Sequence, residues 1–411
     1  MNTVVTALCL GAKSSETFAG SRRKTLARVA LAALLLLTQS ACSVFQPVAD
    51  LFGDDDVEGP TELQDFEQEL RLNRLWSVGV GDGQGRYYNQ LTPAIDREFI
   101  FAAGADGTVV AVNRVDGDVL WRNRTDESIS GGVGAAFGMV LFGTREAEVF
   151  ALDQISGRVL WSAPVSSEVL AAPQTNGEVV VVQTVDGKLI GLEAATGMQR
   201  WIYETTIPAL TLRGSSKPVL TGGTVLAGFA SGMIAAVNAE NGFMLWEERV
   251  AIPQGRYDIE RVIDVDGDLL LSGNTVFATS YQGNLMGLDV ATGRIVWGIE
   301  ASSYHGLAQG FGNIYYSNDK SHLIALRSNS DQVVWENDDL RLRSITAPAT
   351  LGNYVAVADF EGYLHLLSQI DGHFVSRVRV DGDGVRASLV TDSNTIYVFG
   401  NSGQLAAYSI R

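Results

Sequence analysis

The 411-residue sequence is short of cysteine, histidine, proline and positive charge, and each shortage excludes something. Two cysteines, Cys9 and Cys42, cannot make a disulfide framework. Four histidines (His305, His322, His365, His373) show no zinc-type spacing with cysteine or carboxylates. Nine prolines against 44 glycines mean many turns and few rigid linkers. Lys and Arg number 30 and Asp and Glu 47, a formal charge of −17. A chain this acidic is repelled by nucleic acid and by anionic lipid, which excludes a nucleic-acid role. No apolar run is long enough to span a bilayer. There is no G-x-S-x-G and no P-loop. The Gly-rich strings "GDGQG" at 81–85 and "DGDG" at 381–384 lie between strands, not before a helix, so neither is a phosphate cradle.

What is there begins with an export signal. "SRRK" at 21–24 precedes the apolar run "VALAALLLL" at 29–37, and "TQSAC" ends at Cys42. A basic region, a short apolar region and small residues before a cleavage point form a secretory signal. A lone cysteine directly after such a signal resembles a bacterial lipoprotein site. Ser40 and Ala41 fit that pattern, and Gln39 stands where it has Leu. The resemblance implies lipidation of Cys42. Ser43, not Asp, follows it, which implies the outer membrane, periplasmic face. Residues 43–70 are acidic and irregular and read as a flexible tether, with a short helix near 61–70.

The rest of the chain repeats one sentence. The copies are "DGTVVAVNRVDGDVLW" from 106, "EAEVFALDQISGRVLW" from 146, "DGKLIGLEAATGMQRW" from 186, "SGMIAAVNAENGFMLW" from 231, "QGNLMGLDVATGRIVW" from 282 and "KSHLIALRSNSDQVVW" from 320. A seventh, "EGYLHLLSQIDGHFVS" from 361, ends in Ser376, and an eighth, "SGQLAAYSIR" from 402, meets the chain end. Six of the seven tryptophans close copies one to six; Trp76 precedes copy one. Each copy joins a β-type run, a Gly turn and the start of another strand, and two short strands lie upstream. About four strands per unit of roughly 40–50 residues is the signature of a propeller blade. The expected fold is all-β: an eight-bladed β-propeller of four-stranded antiparallel blades over 71–411. The strand around Trp76 closes the last blade. The tryptophans then pack between blades and are architectural. Copy six has Asp331 at the turn glycine and copy seven lacks its Trp, so those blades are expected to be locally weaker.

The phrase A-L-[DN]-x-x-[TS]-G-x-x-x-W resembles the tryptophan-docking repeat of pyrroloquinoline-quinone dehydrogenases. That implies a periplasmic quinoprotein dehydrogenase as one function. Those enzymes often carry vicinal cysteines, calcium and a catalytic acid. The calcium-like string here is "DVDGD" at 264–268, but Leu269 and Thr275 stand where a calcium loop needs Gly and Glu. It reads as a solvated acidic loop. A ligand-binding propeller using its central channel is a further alternative, with no specific signal.

A fuller resemblance, over nearly the whole mature chain, is to the BamB family, lipoprotein subunits of the Gram-negative β-barrel assembly (BAM) machinery. It rests on the repeat, the signal and anchor layout, and three less generic stretches. These are "WSVGVGDGQGRYYNQLTPAI" at 76–95, "IPALTLRGSSKPVL" at 207–220 and "IERVIDVDGDLLL" at 259–271. The resemblance implies a non-enzymatic, cofactor-free scaffold, a monomer within its complex, that aids folding and insertion of outer-membrane proteins. In that family these stretches form the surface that binds the POTRA domains of BamA. The contacts carried over are Leu210, Leu212 and Arg213, with Asp264 and Asp266. Two outward leucines would anchor a partner, and the arginine would pair with its carboxylate. The leucines could instead be buried beneath their loop. The aspartates could orient Arg213 or be solvated turn residues. Membrane contact would run only through the anchor, and nascent outer-membrane proteins are a further implied partner.

Overall fold

The computed structural model describes residues 59–254 and 256–410. The signal at 1–41, Cys42 and the tether as far as residue 58 lie outside the described residues. Eight four-stranded antiparallel sheets make up the fold. Seven use consecutive strands, as blade 1 (94–124), blade 2 (129–164), blade 3 (174–204), blade 4 (219–249), blade 5 (270–301), blade 6 (308–337) and blade 7 (349–379). Blade 8 takes three strands from 390–410, and its fourth is Leu72–Gly79, paired antiparallel with Gln404–Ile410. The expected closure by the Trp76 strand is the one observed. First strands of neighbouring blades touch one another, blade 1 with blade 2 and blade 6 with blade 7 among them, and so line the centre of the ring.

Burial explains the sequence pattern. Middle strands have blades on both faces and read as unbroken apolar runs; every residue of Val179–Thr184 is buried. Outer strands alternate, as in Gln199–Glu204, where Trp201 is buried between exposed neighbours.

One joint recurs at seven seams. The indole N–H of each tryptophan donates to a backbone carbonyl at the start of the next blade's last hairpin turn. Trp76 bonds Arg114, Trp121 Gln154, Trp161 Ala194, Trp201 Ala239, Trp246 Val290, Trp297 Ser328 and Trp335 Gln369, at 2.8–3.1 Å. The ring lies on the turn glycine. A Cβ on Gly157 would sit 2.5 Å from the Trp121 ring, and Gly117, Gly197, Gly242, Gly293 and Gly372 meet their own tryptophans equally closely. These glycines also have positive φ. The Asx residue of the motif closes the same turn; Asp153 accepts from the N–H and hydroxyl of Ser156, and Asp289 does so from Thr292. Opposite each tryptophan in its own blade stands Ala or Gly, as Ala111 faces Trp121 and Gly191 faces Trp201. The joint thus couples the tryptophan and its small partner to a turn that carries the glycine at six of the seven seams and the Asx at four.

The two irregular copies resolve differently. Blade 6 keeps its joint without the glycine, since Trp297 still reaches Ser328. At blade 7, Leu366 faces Ser376, so the large and small partners have exchanged places. A tryptophan at 376 would have no turn to seat on. Blade 8 has no last hairpin, because its third and fourth strands come from opposite ends of the chain.

The tether expectation needs correction at its C-terminal end. Residues 60–70 belong to the same compact unit as the ring, and no helix forms there. Leu63, Phe66 and Leu70 have helical spacing, but they are half-buried against blade 7 and its seams in an extended strap.

Trp161→Ala should cost about 3–5 kcal/mol, the range for deleting a large buried aromatic. Gly157→Ala should cost about 1–3 kcal/mol more than Gly138→Ala. Both glycines have positive φ, but Gly138 has open space around it. Denaturant unfolding of the three variants checks both statements.

Candidate functional site

Several connections between blades exceed what a turn requires, and two of them lie side by side: 205–218, joining blades 3 and 4, and 250–269, joining blades 4 and 5. They are stitched to each other by the acids of "DVDGD". The Leu212 N–H donates to Asp264 Oδ2. The Asp266 carboxylate packs against Gly214, where a Cβ would lie 2.6 Å from its carboxyl carbon. Asp268 accepts from the Lys217 N–H at 3.1 Å and pairs with its ammonium at 3.2 Å. Every second residue of the run thus turns a carboxylate to the 212–217 segment, and the intervening Val265 is buried in the blade 4–5 core.

This revises the acidic pair. Asp264 is fully buried, so it is not a solvated turn residue. Its Oδ1 has no hydrogen-bond partner among the described residues. Burial pushes its carboxyl up to about 7, against the hydrogen bond from Leu212. Burial, with the charge of Asp264 second, pushes Asp266 up to about 8. Among the described residues Arg213 is bonded by Glu168, not by either aspartate. The Arg213 guanidinium forks onto both Glu168 oxygens at 2.9 and 2.8 Å, and its Nε–H donates to the Tyr88 carbonyl at 3.3 Å. Burial raises Glu168, but the hydrogen bonds and charge of Arg213, with Arg145 behind, outweigh it and hold the carboxyl below its ordinary value. Arg145 also covers the Tyr87 ring at 3.6 Å, and Arg386 donates to the Tyr87 carbonyl at 3.0 Å. Arg213 is therefore a brace across the channel mouth as well as a surface cation.

The leucines divide. Leu210 is 42% exposed, whereas Leu212 is half-buried. Leu212 lines a cavity of about 250 Å³ with Gln183, Ile207, Phe229 and Asp266. The same two connections expose Ile207, Ile252, Tyr257 and Ile259. Ile207, Ile259, Tyr87 and Tyr88 fall inside the three stretches that carry the family resemblance, whereas Ile252, Tyr257 and Glu168 lie outside them and escape a sequence reading. Glu168 lies in a link with no motif, and the partners come from distant parts of the chain. The central channel holds a larger cavity of about 550 Å³, lined by Tyr88, Ser130, Asp266, Tyr304, His305 and Ser388 among others. Among the described residues, no group of three or more His, Cys, Asp or Glu is placed to hold a metal ion. No helix among them is long and apolar enough to cross a membrane.

The raised carboxyl values give a pH prediction. The folded chain holds protons on Asp264 and Asp266 that the unfolded chain releases near pH 4, so their contribution to stability falls as pH rises from about 4 to about 8. Asp266→Asn removes part of that fall. Its stability relative to the parent chain, measured by urea unfolding, should be greater at pH 8 than at pH 5.

Known proteins resemble this chain in sequence and in fold. The family described as "Outer membrane protein assembly factor BamB" matches residues 105–337. The protein of that description from Pseudomonas aeruginosa is 53% identical over 352 residues, covering 86% of this chain and 93% of that one. The crystal structure of BamB from Moraxella catarrhalis superposes with a TM-score of 0.76 at 29% identity, over 82% of this chain and all of that one. Quinohaemoprotein alcohol dehydrogenase from Comamonas testosteroni gives a TM-score of 0.68 at 12% identity, over 82% of this chain and 76% of that one, a likeness of fold alone. The braced loops belong to a chain whose sequence and ring both match one group: it is a member of the BamB family of outer-membrane protein assembly factors.

Proposed function

We propose that this chain is a non-catalytic scaffold subunit of the β-barrel assembly machinery in the outer membrane. Its stitched connections 205–218 and 250–269 dock the POTRA domains of the barrel-forming subunit, BamA. It is held at the periplasmic face by a lipid on Cys42, is a monomer within the complex, and aids folding and insertion of nascent outer-membrane proteins. Family membership supports the role. The observation that supports the site is an exposed apolar tip, Leu210, on a loop fixed from beneath by Asp264, Asp266 and Asp268 and from the side by the Glu168–Arg213 fork. A pre-ordered apolar anchor on a rigid loop binds without first losing conformational entropy. In this reading Leu210 makes the partner contact, Leu212 seats the loop, and Arg213 presents only the part of its guanidinium that Glu168 leaves exposed. Asp264 and Asp266 act through the loop's backbone.

The test is a binding titration of the purified chain with the POTRA fragment of the same organism's BamA. Leu210→Asp should weaken binding about ten- to a hundredfold. Glu168→Gln should weaken it about fivefold, by loosening the brace, with melting curves showing the ring intact. Binding unaffected by Leu210→Asp would move the interface elsewhere on the ring. Absence of binding by the parent chain would sink the assignment.

A further inference from the structure

Seven seams carry a tryptophan joint, and the blade 7–8 seam carries the strap instead. The strap, "TELQDFEQEL" at 61–70, makes a continuous set of contacts along blade 7. The Thr61 N–H and hydroxyl donate to the Arg341 carbonyl at 3.0 and 3.1 Å, and Arg343 donates to the Thr61 carbonyl at 2.9 Å. Leu63 packs into the blade 6–7 core. Arg377 donates to the Gln64 carbonyl at 2.8 Å and lies over both Phe66 and Phe374, whose rings stack 5.5 Å apart. Ser376, at the position of the missing tryptophan, donates to the Gln68 side chain at 3.3 Å. The Glu69 N–H donates to the Val375 carbonyl at 3.0 Å, and the Glu69 carboxylate meets His373 at 2.8 Å. Leu70 enters the blade 7–8 core.

The receiving face is built as well as occupied. Arg343 is buried and held by Asp359 and Glu361. Asp359 also accepts from His365 Nε2 at 3.1 Å, which leaves Nδ1 to accept from Arg377 Nε at 3.2 Å. Burial lowers His365 below its ordinary value and keeps the imidazole neutral, as this chain of bonds requires. Arg377 is thereby fixed with its outer amino group toward the strap. Charge contributes at two points: the Glu69 carboxylate meets His373 and the charge of Asp65 acts on Arg377, while Arg343 is matched within the blade by Asp359 and Glu361 and His373 also by Asp371.

We propose that the outer face of blade 7 is a binding groove for an extended peptide with apolar residues at the third, sixth and tenth of its ten positions and acids at the fifth and ninth. Residues 61–70 fill it in cis as the eighth clasp of the ring. The clasp takes over the tryptophan's work at the one seam where the chain ends meet, and it secures the closing strand Leu72–Gly79 that directly follows it.

The test is hydrogen exchange on the full chain carrying Leu63→Asp and Phe66→Asp, with Phe66→Ala as a milder variant should the first fail to fold. The expected result is exchange at least about tenfold faster in Phe374–Arg379, Leu72–Gly79 and Gln404–Ile410, with Val179–Glu193 of blade 3 unchanged. A synthetic peptide of residues 59–71, added at about millimolar concentration to match the lost tethering, should restore protection in Phe374–Arg379. It should not do so when Arg377→Gln is also present. Exchange equal to that of the parent chain would overturn the clasp. Faster exchange that the peptide does not reverse would overturn the groove.

Discussion

The ring depends on one hydrogen bond, an indole N–H meeting the first carbonyl of the neighbouring blade's last turn. That bond has steric terms. The turn must be flat where the ring lies on it, and six of the seven turns use glycine at positive φ. The strand beside the tryptophan must leave room, so it offers Ala or Gly. The Asx side chain holds the turn in shape so that the carbonyl is where the indole needs it. Blades 1 to 6 supply both halves of the joint at different ends of the last hairpin, and so each of them is locked to the one before and the one after.

The functional surface is built on departures from that rule. Connections 205–218 and 250–269 are too long to be turns, and no repeat rule positions them. The chain positions them with carboxylates placed at alternate residues and with a fork between Glu168 and Arg213 that crosses from one blade link to another. Burying Asp264, with Asp266 half-buried beside it, is costly, and the rigidity of the Leu210 tip is what the cost maintains. The same arginine also touches the carbonyl of Tyr88, so the loop and the rim of the channel share a brace.

Legibility in the sequence followed the joint. The blade count, the closing strand around Trp76 and the place of the tryptophans could be read because one local constraint wrote itself out along the chain. Leu210 came from the family resemblance, and the "DVDGD" run from its calcium-like spacing and the same resemblance. Glu168 did not stand out, since a lone glutamate carries no sign of an arginine 45 residues away. The strap misled because Leu63, Phe66 and Leu70 keep helical spacing while their partners lie along a groove that only an extended chain can follow. Ser376 looked like decay of the repeat. Its exchange of volume with Leu366, at a seam where no turn exists, gives it a reason that sequence spacing does not contain.

The order of elements along the chain gives the strap a mechanical meaning. Leu72–Gly79 is an edge strand, and a pull on its N-terminal end would unzip it from Gln404–Ile410 one residue pair at a time, the weakest geometry for a sheet. The strap lies upstream of that end. Tension arriving from the N-terminal side reaches Thr61, Phe66 and Glu69 before it reaches Leu72, and it is borne across blade 7 by arginines anchored in the blade's interior. The strand pairing that closes the ring is thus shielded from the direction in which its own chain would open it.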